Sequence, residues 1–171
     1  MNHALFSLCV LLLIGNPLLQ TPQQERKKET PITPVGPKMS GPRVSMNSRL
    51  QDQMRLVVRD RETWERFWNG FAPGPSPPPA MPEIDFKNEI VVIAAMGMRP
   101  SSGYQVIIDK AILYESYPRL EITIRSIDNT KCPGLGHFTA LTSPVDIVRI
   151  PRTEYPVVLR EIEGPDCPKF K

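Results

Sequence analysis

Three side chains in the second half of the chain have the chemistry to hold a metal ion: Cys132, His137 and Cys167. Thiolate and imidazole are zinc's preferred donors, but a structural zinc site takes four ligands and usually pairs its cysteines as C-x-x-C. That spacing is absent, and no fourth ligand accompanies the three. The cysteines have a second use. Cys9 lies in an apolar N-terminal run, so Cys132 and Cys167 are an even pair once that run is set aside. In an oxidising compartment such a pair forms a disulfide. The sequence favours a Cys132–Cys167 disulfide over a zinc site and gives no reason to expect a metal or another cofactor.

Catalytic constellations are scarce. His3 falls in the N-terminal run, which leaves His137 as the one histidine a folded domain could use. No G-x-S-x-G elbow is present to hold a nucleophilic serine, and no H-E-x-x-H, phosphate loop or dinucleotide fingerprint occurs. Glu83, Asp85 and Glu89 precede an apolar strand, where carboxylates are ordinarily solvated. The expectation is a protein that binds and does not catalyse.

The stretch best suited to binding is Arg99-Pro100-Ser101-Ser102-Gly103-Tyr104. Pro100 fixes its own φ and Gly103 admits dihedrals closed to other residues, so the turn can be rigid. A rigid loop loses less entropy on binding. Arg and Tyr dominate interface energetics, and Ser101 and Ser102 offer adaptable hydrogen bonds.

These residues need elements to position them. The chain has 171 residues, 40% hydrophobic and 23% charged, enough for one domain with extensions. Of its 20 prolines, 12 cluster before residue 43 and between Pro73 and Pro82. Ala4–Leu19 is almost wholly apolar, uncharged and broken by Gly15 and Pro17. It is too short to span a bilayer comfortably and has the length of a signal-peptide core. Residues 1–20 are read as an export segment, which places the protein in the secreted fraction or the cell envelope. Residues 21–48, rich in proline and polar groups, read as a disordered tether.

The domain is assigned to 49–171. Met54–Arg59 reads as a strand, and Asp60 can cap a helix whose Trp64, Phe67, Trp68 and Phe71 share one face. Ile90–Met96 is apolar without alternation, as in a central strand covered on both faces. Strands are also predicted from Tyr104 to Ile108, over Arg119–Arg125 with Leu120, Ile122 and Ile124 inward, over Val145–Ile150 and over Val157–Leu159. The fold class is α+β: a small antiparallel β-rich domain, sandwich-like or a sheet with one short helix. Residues 1–49 carry six basic against two acidic residues, leaving 15 against 16 for the rest. The domain is thus near neutral, which argues against nucleic acid as a partner. Membrane contact would come only through an uncleaved N-terminal segment.

Several landmarks in order resemble the PrcB C-terminal domain family, named for a non-catalytic subunit of a bacterial surface protease complex. They are the helix Glu62–Trp68, Ile84-Asp85-Phe86 before Ile90-Val91-Val92, the stretch Gly97–Tyr104, and Thr142-Ser143-Pro144 before Ile147–Arg152. The resemblance spans about residues 50–152. It implies an exported accessory domain with a protein partner, a protease or its complex. The turn Pro100–Tyr104 also resembles the Pro-Thr-Thr-Gly-Tyr loop of chagasin-like cysteine-protease inhibitors, although Val106 stands where that family has a tryptophan. An inhibitor is the alternative function.

Overall fold

A computed structural model describes residues 25–35, 48–71, 80–164 and 167. Residues 1–20, read above as an export segment, lie outside these. The described residues form two four-stranded sheets stacked as a sandwich, with one helix on an outer face. In chain order the elements are β1 (Lys27–Thr30), β2 (Thr33–Pro34), β3 (Met54–Val58), α1 (Arg61–Phe71), β4 (Glu89–Ala95), β5 (Tyr104–Tyr114), β6 (Arg119–Asp128), β7 (Val145–Pro151) and β8 (Val157–Gly164). One sheet has the order β1-β5-β6-β8 and the other β2-β7-β4-β3.

The unalternating run of β4 follows from its position. Ile90, Val92 and Ala94, with Val148 and Ile150 of the neighbouring β7, face the opposite sheet and cluster with its Val106, Ile108, Leu120, Ile122 and Ile124. Val91, Ile93 and Ala95 face the helix, packing with Trp64, Phe67, Trp68, Val58 and Ile147. The strand needs apolar groups on both faces because the helix covers the one that the other sheet does not. Asp60 caps α1 by accepting the Thr63 N–H at 2.8 Å. Trp64 is anchored further by its indole N–H, which donates to the Pro82 carbonyl at 3.1 Å. Phe71, at the end of the stripe, is 38% exposed.

Three features differ from the sequence-based expectation. The first concerns Lys27–Pro34, read as part of a disordered tether. Here β1 pairs antiparallel with the edge of β5 and β2 with the edge of β7, so the segment crosses from one sheet to the other as a strap. Ile32 packs on the inter-sheet core and Val35 on the helix-side core. Proline at an edge strand costs no ladder bond, and extended polar chain is already close to β geometry, which is why composition alone hid the pairing. The second is β8. It runs parallel to β6, unlike every other strand pair. The chain leaves β7 in one sheet, crosses the sandwich through Arg152–Pro156 and enters the other sheet in the direction of β6.

The third is a bulge in β5. Ile108 pairs with Ile124 and Lys110 with Thr123, so Asp109 is an extra residue. The insertion changes the parity of the strand, and both Ile108 and Ala111 are buried. Asp146 of β7, wholly buried in the facing sheet, accepts the Ile108 N–H at 2.7 Å.

Candidate functional site

Two connections cross between the sheets at the same end of the sandwich. Residues 96–103 lead from β4 to β5, and residues 129–144 lead back from β6 to β7. Lying side by side, they pair. Arg99 N–H donates to the Thr142 carbonyl at 2.7 Å and Thr142 N–H to the Arg99 carbonyl at 2.8 Å. Ser102 N–H donates to the Phe138 carbonyl at 3.1 Å, and the Ser102 hydroxyl accepts the Phe138 N–H at 3.0 Å. The Thr142 hydroxyl donates to the Ser101 carbonyl at 2.9 Å. The backbone of Leu50–Gln53 closes the same end, with Met98 N–H donating to the Gln51 carbonyl at 2.8 Å. That approach requires Gly97, which has φ +73 and whose missing Cβ would stand 2.5 Å from the Gln51 oxygen.

Gly103 works differently from the expectation that it supplies unusual dihedrals: its φ is not positive. It is required for space. A Cβ there would come within 2.8 Å of Thr130 Cγ2 and 2.9 Å of His137 Nδ1. His137 Nε2 stands 2.6 Å from the Asn129 carbonyl oxygen. A carbonyl only accepts, so Nε2 carries the proton; the bond lies within the second loop and sets the ring against Gly103 of the first. Asp128 organises the start of the second loop. Its carboxylate accepts from the Thr130 hydroxyl and N–H and pairs with Lys131 at 3.1 Å. The Thr130 hydroxyl, ahead of Lys131, holds the Asp128 carboxyl below the usual carboxylate range. Beyond this turn, Cys132 is joined to Cys167 in a disulfide.

The six turn residues therefore divide. Ser101, Ser102 and Gly103 are occupied in the loop–loop contact. Arg99, Pro100 and Tyr104 instead line a groove of about 470 Å³ where the two sheets part, with Arg55, Lys131 and Glu163 among its other walls. The Arg99 guanidinium lies 5.9 Å from the centre of the Tyr104 ring.

The sequence reading missed the side chains that this pairing displays. Phe138 is 81% exposed and Leu141 73% exposed, and both sit on the strand-like stretch held by Ser102 and Arg99. The one available signal was the appearance of Phe138 and Leu141 in an otherwise polar, glycine-containing loop. Among the described residues no cluster of three or more His, Cys, Asp or Glu side chains could hold a metal ion.

No curated protein and no solved structure matches the chain. A family model does: the one described as PrcB C-terminal matches residues 90–151, from the central strand β4 through the turn and both loops to the end of β7. The stretch that builds the inter-sheet core and the paired loops is thus similar to the PrcB C-terminal family.

Proposed function

We propose that this is an exported, non-catalytic accessory domain of a protease complex, working in the secreted fraction or at the cell envelope. It meets its protein partner through the paired loops Arg99–Tyr104 and Phe138–Thr142. The observation that carries the reading is Phe138: a largely exposed ring whose own N–H and carbonyl are both fixed to Ser102. An exposed aromatic on a rigid base is what an interface hot spot requires, since burying it costs little further ordering. The family match to residues 90–151 supports a place in a protease complex. The domain's near-neutral charge favours a protein over a nucleic acid, and membrane contact is left to the N-terminal segment.

The test is affinity capture with the tagged chain from its own envelope fraction, beside a Phe138→Ala, Leu141→Ala double variant. Wild type should retain a protease or a protease-complex subunit, and the variant should bind it at least about tenfold more weakly with its thermal melt unchanged. Equal capture by both sinks the proposed surface. Stoichiometric loss of the captured protease's activity would replace the accessory role with the inhibitor reading, in which Pro100–Tyr104 enters the cleft.

A further inference from the structure

We propose that the groove between the sheets binds a carboxylate carried on an extended segment of a protein partner, with Arg99 as the group that reads it. This rests on the reading above that this end of the sandwich meets a protein. The charges around the groove carry the argument. Three cations line it: Arg55, Arg99 and Lys131. Arg55 is spent, because its guanidinium spans the sandwich to Glu161, to Ser126 and to the Ala95 carbonyl. Lys131 is paired with Asp128. Among the described residues Arg99 has no acidic partner, and its side chain makes one long hydrogen bond, of 3.4 Å, to the neighbouring Met98 carbonyl.

A guanidinium with most of its donors unused, carried by a half-buried arginine and held over a tyrosine ring, is prepared for a bidentate anion. Lys131 and its partner Asp128 both line the groove and offset one another, which leaves Arg99 as its uncompensated cation among the described residues. Glu163, which also lines the groove and has no cationic partner among the described residues, repels a carboxylate placed near β8. The anion is therefore directed to the Arg99 wall. The volume lies within the range that encloses a small ligand or a few groups of a peptide. The groove opens beside Pro100, on the end that carries Phe138 and Leu141, so one partner can engage both features.

Fluorescence anisotropy with three labelled heptapeptides tests this on the full chain. The sequences are Gly-Ser-Ala-Glu-Ala-Ser-Gly capped at both ends, the same peptide with Gln for Glu, and the Gln peptide with a free C-terminal carboxylate. The Glu peptide or the free-carboxylate peptide should bind at least about tenfold more tightly than the neutral one. The winner distinguishes a side-chain carboxylate from a chain terminus. The preference should shrink as salt rises from about 0.05 to 0.5 M. Arg99→Gln should erase it, Arg99→Lys should restore only part, and Glu163→Gln should strengthen it. Equal binding of all three peptides overturns the proposal. So does a preference that survives Arg99→Gln or is unmoved by Glu163→Gln, a variant that leaves the Arg99 wall untouched. These results are independent of the Phe138 experiment: peptide binding with Phe138 dispensable would reject the loop surface and retain the groove.

Discussion

At the scale of single residues, the site depends on groups that fix loops to one another. Protonating Asp128 removes an acceptor shared by the Thr130 hydroxyl, the Thr130 N–H and Lys131. Because its folded pKa lies below the unfolded value of about 3.9, its contribution to stability is fully present above that value. It is lost as pH falls through the lowered folded pKa. Hydrogen exchange of residues 129–138 should be flat from pH 7 to about 5, after correction for intrinsic rates, and should accelerate below about 4. Asp128→Asn should cost at most about 1 kcal/mol near neutrality and remove the acid-specific part. An unchanged acid response in that variant would assign the effect to other carboxylates. His137 belongs to the same group of fixing residues: its ring works by position, between the Asn129 carbonyl and the face of Gly103.

Among the elements, the strap β1–β2 changes where the domain begins. A fragment cut at residue 49, the boundary that composition marks, loses the edge partners of β5 and β7 together with Ile32 and Val35. It should melt below a fragment starting at Glu25, by a few kcal/mol in stability, and scatter light on standing because open strand edges pair with other chains. Matching melts would reduce the strap to decoration. Much of the rest was legible. The apolar run of β4, the aromatic face of α1 and the alternation of Leu120, Ile122 and Ile124 carry their periodicity locally, and the structure buries them as that periodicity dictates, with Phe71 at the helix end the exception. The strap, the bulge at Asp109 and the parallel course of β8 are set by partners far away in the chain, and no window of sequence contains both partners. The site divides along the same line. The turn itself could be read, but the loop that pairs with it, and the exposed Phe138 that the pairing steadies, depend on contacts across some 36 residues.

For the molecule as a whole, the parallel pairing of β6 and β8 explains where the chain closes on itself. Parallel neighbours end on the same side, so Cys132, just past β6, and Cys167, just past β8, are brought to a Cα separation of 5.2 Å. The bridge encloses 35 residues of sequence separation, which in the chain-entropy account stabilises the fold by about 4 kcal/mol at most. Cys132→Ser or full reduction should lower the melting temperature clearly while leaving the two-sheet core able to form. An identical melt with and without reductant would show that the covalent link adds nothing. The hydrogen bond from Ile108 in one sheet to Asp146 in the other has a different kind of consequence. Apolar attraction between two stacked sheets is non-directional, so many lateral offsets bury similar area and differ little in energy. A carboxylate sunk in that layer tolerates only the offset that brings it to the N–H beside the bulge, since elsewhere it would be stranded without a donor. The pair therefore acts as an index mark between two otherwise slippery plates, and the paired loops Arg99–Tyr104 and Phe138–Thr142 inherit their alignment from it.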